Sequence, residues 1–141
     1  MNDPWDLQRF VTAQQPVYET VLAELRAGAK RSHWMWFIFP QIEGLGHSEM
    51  ARRYAIASLE EARAFLRHPV LGPRLRTCSG LAAGINGRNA HQIFGSPDDL
   101  KFHSSITLFA QAAEDEQVFR DCLAKYFAGK PDPATLAQLG V

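Results

Sequence analysis

Signals that start and stop helices recur along this chain, whereas two strands that could bond to each other are hard to find. The clearest signal is SPDD at residues 96–99, where a serine and a proline precede two carboxylates. Serine favours the N-cap, proline the first helical position, and the helix dipole favours acidic side chains in the first turn. We therefore predict a helix that is capped by Ser96, carries Ile106 and Phe109, and runs to about Glu114.

Comparable caps, proline positions and glycine stops predict the remaining helices. They start or stop at Asp6, Pro16, Gly28, Ser32, Ser48, the capping box of Ser58 with Glu61, His68, Gly129 and Asp132. The stretch between Gly84 and Asn89 is predicted as a loop because it is rich in glycine and asparagine. The expected fold is all-α, a single compact domain over residues 1–141 with about seven to eight short helices and little or no sheet.

The run WMWFIF, residues 34–39, is the ambiguous segment. Its aromatic residues favour a strand, and six apolar residues do not by themselves separate a strand from a helix. An isolated strand would leave its backbone groups unpaired, and Pro40 disfavours helical backbone at the residue before it. A short helix capped by Ser32 and ending ahead of Pro40 is the preferred interpretation.

Charge and composition narrow the classes of partner. The 141 residues include 15 basic and 15 acidic side chains, so no net charge attracts nucleic acid or an anionic membrane. The N-terminus lacks the pattern of a signal peptide and no apolar run could span a bilayer, so a cytoplasmic protein is expected. Cys78 and Cys122 are interpreted as buried thiols. The five histidines lack the spacing of metal ligands, so neither a metal nor a cofactor is predicted.

A first candidate site lies in the segment from Lys30 to Ser48. It combines basic side chains, aromatic faces and a glycine loop, which together suit a small planar anion. The predicted ligand-binding residues are Lys30, His33, Trp34, Trp36 and Gln41. The alternative, that these aromatic residues belong to the core, is favoured for residues 37–39 and stays open for both tryptophans.

A second candidate lies on the helix that follows Ser96. At helical spacing Lys101 and Ser104 share one face, and both are predicted ligand-binding residues. The lysine could bind an anion or pair with Asp98. Asp98 and Asp99 are predicted catalytic residues, since a carboxylate fixed at a helix start can act as an acid or base. The alternatives are a solvated lysine and two capping carboxylates. Sequence does not show whether this segment meets the first one.

Three blocks of the chain resemble one protein family. SHWMWFIFPQIEGLGHS, YAIASLEEARAFLRHPVLGPRL and IFGSPDDLKFHSSITLF are similar to the hallmark segments of the bacterial DUF1810 family. The resemblance extends from DLQRFVTAQQ to LAKYFAGKPDPATL and implies a mainly helical single domain. A weaker similarity of helical pattern, to the NADAR (YbiA-like) N-glycosidases, transfers no catalytic residue but implies a nucleotide-like or sugar-phosphate ligand.

Two functions follow as hypotheses. In the first, the protein binds, and as an enzyme would hydrolyse, a small anionic nucleotide- or ribose-like ligand in the manner of an N-glycosidase. In the second, it is a protein-interaction module that presents Trp34, Trp36 and Phe37 as an aromatic patch. The sequence leaves open whether the chain is an enzyme and whether it forms a homo-oligomer.

Overall fold

A computed structural model describes residues 2–113 and 115–141. It is 62% helical with 1% strand and no sheet in the described residues, which confirms the predicted all-α class. The helices number ten in these ranges, more than the seven to eight expected. They are α1 Gln8–Gln14, α2 Tyr18–Ala27, α3 Met35–Ile38, α4 Glu49–Arg53, α5 Leu59–Arg67, α6 Leu71–Ala83, α7 Ala90–Phe94, α8 Asp98–Ala112, α9 Gln117–Phe127 and α10 Pro133–Leu139.

Helix α8 lies at the centre of the domain and packs against α3, α5, α7, α9 and α10. Its apolar side chains Phe102, Ile106, Leu108 and Phe109 are completely buried. A helix that is apolar on most of its circumference gains stability only when neighbours enclose it. The first turn of α8 is its polar end, and this turn carries the candidate site.

Most predicted helix boundaries are confirmed. Gly28 ends α2 in the left-handed conformation, with φ of 72°. The Ser48 hydroxyl accepts a hydrogen bond from the Ala51 backbone at the start of α4, and Asp132 caps α10 in the same way. Helix α8 ends at Ala112, and the predicted endpoint Glu114 lies outside the described residues.

Four predicted starts are wrong in detail. Asp3, not Asp6, accepts the free N–H groups of the first helix, because Asp6 itself has a positive φ of 51°. Helix α2 begins at Tyr18 rather than at Pro16. Ser32 and Ser96 cap nothing: Trp34 precedes α3 and Pro97 precedes α8 as the N-cap residues.

The Ser58 box is half formed, and a different box was missed. The Ser58 hydroxyl accepts from the Glu61 backbone, but the Glu61 carboxylate accepts from Ala57 N instead of Ser58 N. A complete capping box joins Asn89 to Gln92 and starts α7, a helix that the sequence interpretation did not include. Its N-x-x-Q pattern was available in the sequence.

The aromatic run forms the short helix α3, as preferred over a strand. Only one isolated bridge, between Ile42 and Ile56, has strand character in the described residues. Trp34 and Phe39 are fully buried, and the Phe39 ring meets Phe102 of α8 edge-to-face with centroids 5.0 Å apart. The aromatic run therefore packs α3 and the residues on either side of it against the central helix α8.

Both cysteines are buried free thiols, as predicted. Burial raises the pKa of Cys78 and of Cys122 to about 12, so each thiol stays protonated and unreactive. Among the described residues, no helix combines the length and the apolar character needed to cross a membrane.

Candidate functional site

The loop between α2 and α3 is shaped by one buried carboxylate, that of Glu24. Oε1 accepts from the backbone N–H groups of Arg31 and Ser32 at 2.8 and 3.0 Å and from the Trp34 indole at 2.8 Å. Oε2 accepts from the Ser32 hydroxyl at 2.5 Å. Burial by itself would raise the pKa of Glu24, but these hydrogen bonds outweigh it and lower the pKa to about 2. The carboxylate therefore stays ionised and holds the loop in one conformation.

Lys30, in the same loop, joins it to the helices on the other side of the site. Its backbone N–H donates to the Ile93 carbonyl of α7 at 2.7 Å. Its ammonium lies 2.8 Å from Oδ2 of Asp98, in the first turn of α8, and also donates to the Ser32 carbonyl. The Lys30 side chain is only 5% exposed. The two segments that sequence could not connect thus meet in a largely buried ion pair.

A cavity of about 270 Å³ opens beside this pair. Its lining comes from the loop, from α3 and from the start of α8: Lys30, His33, Met35, Trp36, Ser96, Pro97, Asp98 and Lys101. The Lys101 ammonium stands 5.1 Å from the centre of a Trp36 ring, within the range of a cation–π contact. No carboxylate within salt-bridge distance of Lys101 occurs in residues 2–113 and 115–141.

Trp36 forms one wall of this cavity and is half-buried. Its indole N–H is enclosed and has no hydrogen-bond partner among the described groups. Buried donors without a partner are uncommon in folded proteins, since each destabilises the fold by about 1–3 kcal/mol. Trp34 differs, because its N–H is satisfied by Glu24.

A second cavity of about 340 Å³ adjoins the first and shares Pro97 and Lys101 with it. Its remaining lining comes from the glycine loop, from α8 and from the start of α10: Gln41, Leu45, Gly46, Leu100, His103, Ser104, Asp132 and Ala134. Lys101 therefore stands where the two cavities meet, and its ammonium can serve a ligand in either.

The structure brings together most of the predicted site residues. Those on the first cavity are Lys30, His33, Trp36, Asp98 and Lys101, and those on the second are Gln41, Ser104 and again Lys101. All of these side chains lie around one end of α8.

Two predicted site residues lie elsewhere. Trp34 is fully buried in the core and cannot form a wall of either cavity. Asp99 points away from both cavities, where Oδ2 lies 3.3 Å from Nδ1 of His91 and Oδ1 accepts from the Leu100 backbone. Adjacent helix positions point about 100° apart, so Asp98 and Asp99 could not both face the same cavity.

Sequence reasoning missed Glu24, His103 and the cavity role of Asp132. Glu24 sits on a helix with an ordinary polar face, and its partners follow 7 to 10 residues later in an irregular loop, so no periodicity connects them. Asp132 was identified only as a helix cap. Its approach to Ser104, with 2.9 Å between Oδ2 and Oγ, spans 28 residues of chain.

The described residues contain no group of three or more His, Cys, Asp or Glu side chains arranged to hold a metal ion. The polar groups of the two cavities are instead ammonium, carboxylate, amide, imidazole and hydroxyl groups. They suit hydrogen bonding and charge pairing with an organic ligand.

Comparison with known proteins places the chain in a family. Residues 4–139 match the family model described as protein of unknown function (DUF1810), and the chain belongs to this family. The chain is similar to the conserved hypothetical protein Rv1873 from Mycobacterium tuberculosis, known from a crystal structure, with 58% identity, 99% of each chain covered and a TM-score of 0.97. No curated protein matches it. The weaker resemblance to NADAR proteins finds no support in these matches.

Proposed function

We propose that this DUF1810 protein binds a small anionic ligand that carries a flat group, in the cavity between Lys30, Trp36 and Lys101. One observation carries the proposal: the Lys101 ammonium lies against the Trp36 ring without an acidic partner in the described residues. A cation so placed attracts an anion, while the indole face beside it offers a stacking surface.

The charge balance of the cavity supports an anion. Lys30 and Asp98 neutralise each other, so Lys101 leaves an excess positive charge even when His33 is neutral. The Lys30 ammonium has three N–H donors, of which Asp98 and the Ser32 carbonyl use two. The Lys30 ammonium also lies 5.0 Å from the centre of a ring of the buried Trp34, so the three donors of Lys101 are the ones that remain for ligand oxygens.

The size of the cavity supports a small ligand or one part of a larger one. Binding pockets for organic ligands commonly measure ~300–1,000 Å³. At about 270 Å³ the first cavity falls just below that range. A single ring with its charged substituent is the expected occupant.

The hydrolytic part of the proposal assigns Asp98 as general base. Its Oδ2 pairs with Lys30, while Oδ1 has no hydrogen-bond partner among the described residues and can accept a proton from water. The water oxygen would bond to the anomeric carbon of an N-ribosyl ligand. The C–N bond would then break with its electron pair on nitrogen, and the nitrogen would take up the proton that Asp98 removed from the water.

Binding is tested by calorimetry and thermal shift with phenyl phosphate, inorganic phosphate and phenol. We expect phenyl phosphate to bind more tightly than either fragment. At about 100 times its dissociation constant it should stabilise the protein by ~2.7 kcal/mol. Lys101→Met should weaken binding by about 10- to 100-fold, the value of a charge-assisted hydrogen bond.

Lys125→Met is the matched control, since the Lys125 ammonium lies 5.9 Å from the Tyr126 ring but outside both cavities. It should leave binding unchanged. If phenyl phosphate gives no shift, or if both lysine variants weaken it equally, the proposed site is wrong.

Hydrolysis is tested separately with a nucleoside monophosphate, by chromatography of the released base. Asp98→Asn should abolish release, whereas Asp99→Asn, a change one position along the same helix but outside the cavities, should not. If the protein binds the nucleoside monophosphate but releases no base, it is a binding protein and the proposed hydrolysis is wrong.

The alternative of an aromatic interaction patch has less support. It required exposed Trp34, Trp36 and Phe37, but Trp34 and Phe37 are buried and Trp36 is half-buried within a cavity. A contiguous flat apolar surface at this segment is therefore not available to a partner protein.

A further inference from the structure

We infer that the second cavity binds a further hydroxyl-bearing, sugar-like group, joined to the anion of the ligand on the side away from Asp98, so that the ligand extends across Lys101 from one cavity into the other. The inference rests on the proposed function, because it places the anion at Lys101. It adds the chemical class of the group on the far side.

The polar groups of the second cavity supply mainly acceptors, and one of them, Asp132, is held by three hydrogen bonds. Oδ2 of Asp132 accepts from the Ser104 hydroxyl at 2.9 Å and from the Thr135 hydroxyl and backbone at 2.6 and 3.2 Å. Oδ1 of the same carboxylate has no partner among the described residues. The Gln41 side chain likewise makes no hydrogen bond in these ranges and offers one acceptor and two donors.

His103 adds a third oriented group. Its Nε2 lies 2.8 Å from the Lys130 carbonyl, which can only accept, so Nε2 carries a hydrogen. In the neutral imidazole Nδ1 is then an acceptor. The ring is fixed by stacking on Phe127, with centroids 3.8 Å apart and planes 7° from parallel.

This set of groups selects hydroxyls over a second anion. Hydroxyl groups donate to a carboxylate oxygen, whereas a phosphate placed beside Asp132 would be repelled. The anion is thus directed to Lys101 and the hydroxyls to Asp132, Gln41 and His103. The opposite charges of Lys101 and Asp132 in the lining of one cavity set the orientation of the ligand.

The apolar part of the lining fits the carbon face of a sugar. Leu45, Pro97, Leu100 and Ala134 line the cavity between the polar groups. Leu100 is 64% exposed and is one of two large apolar side chains left exposed in the described residues. The core does not use it, but a ring with C–H groups on one face would cover it.

Ribose 5-phosphate and phenyl phosphate distinguish the two cavities, because each carries a phosphate with a different group attached. Calorimetry should be run on the full chain, on Gln41→Leu and on Gln138→Leu, an exposed glutamine outside both cavities. We expect Gln41→Leu to weaken ribose 5-phosphate by about three- to tenfold, the effect of one hydrogen bond, and to leave phenyl phosphate unchanged. Gln138→Leu should change neither.

Asp132→Ala removes the carboxylate, whereas Ser104→Ala keeps it and removes only one hydrogen bond to its Oδ2. Asp132→Ala should weaken ribose 5-phosphate more than Ser104→Ala does, because only the carboxylate has an unused oxygen. If Gln41→Leu weakens both probes equally or neither, the second cavity does not bind the sugar and the inference fails while the anion site stands. If wild-type protein binds neither probe, the proposed function fails and the inference with it.

Discussion

Two ion pairs of this protein resemble each other in distance but differ in how completely their groups are used. In the first, Arg9 lies 3.1 Å from Glu61; in the second, Lys30 lies 2.8 Å from Asp98. The Arg9 guanidinium makes five hydrogen bonds, to the carbonyls of Trp5, Asp6, Arg53 and Ala55 and to Glu61. Five is the full donor capacity of an arginine.

The ion pair of Lys30 and Asp98 is surrounded by donors and acceptors that make no hydrogen bond or salt bridge in the described residues. Asp98 has an unpaired oxygen, Lys101 has no acidic partner and the Trp36 N–H has no acceptor among the described residues. These groups also border the first cavity, whereas neither Arg9 nor Glu61 borders either cavity of the candidate site. A polar cluster whose donors and acceptors are all used stabilises the fold. A cluster beside a cavity whose groups are partly unused can bind a ligand.

The largest expected effect on stability comes from the saturated pair. Arg9→Met would leave Glu61, whose side chain is 3% exposed, without its cationic partner, and four backbone carbonyls without the hydrogen bonds that Arg9 donates. We expect a loss of about 3–5 kcal/mol in the free energy of unfolding, measured by urea titration, as for a broken buried pair. Arg76→Met is the control, because the Arg76 side chain is 40% exposed in its pair with Glu116, and should cost less than about 1 kcal/mol. If both variants lose the same free energy of unfolding, the Arg9–Glu61 pair does not stabilise the fold more than the exposed Arg76–Glu116 pair.

An intermediate and pH-dependent effect is expected from Glu24. Its pKa of about 2 lies below the ordinary 4.5, so its contribution to stability is complete above pH 4.5 and is lost as the pH falls towards 2. At neutral pH Glu24→Gln should lower the free energy of unfolding by about 3 kcal/mol. This difference in stability between variant and wild type should shrink as the pH falls from 4.5 to 2. Urea titrations at several pH values measure the difference. Glu19→Gln, on the exposed side of the same helix, should show no such gap, and a pH-independent gap for Glu24→Gln would contradict the assignment.

The smallest effect on stability is expected at the proposed site itself. Lys101→Met removes a cation that makes no hydrogen bond or salt bridge in the described residues and only a cation–π contact with Trp36, so the free energy of unfolding should fall by no more than about 1 kcal/mol. The same variant is expected to lose most of its affinity for phenyl phosphate. A loss of 2 kcal/mol or more in the free energy of unfolding would show that Lys101 stabilises the fold, against this prediction.

Much of the fold could be predicted because its determinants are local. Gly28, Ser48 and Asp132 mark helix ends through contacts within a few residues, and the buried face of Leu71, Leu75, Cys78 and Ala82 follows from helical spacing. The errors at Asp6, Ser32 and Ser96 have different causes. At the first helix Asp3 accepts the free N–H groups in place of Asp6, and the Ser32 hydroxyl donates to Glu24 instead of capping. No side chain of the described residues caps α3 or α8.

The helical class, and the segments that carry the lysines, tryptophans and aspartates of the site, follow from the amino-acid sequence. Helix caps, turn glycines and apolar periodicity act over short stretches of chain, so they can be recognised without a structure. Packing between distant segments brings Lys30 to Asp98, places Trp36 and not Trp34 on a cavity, and turns Asp99 away from it. These placements depend on how α3 packs against α8 and on how the loop after α2 meets α7 and α8, which no local pattern encodes.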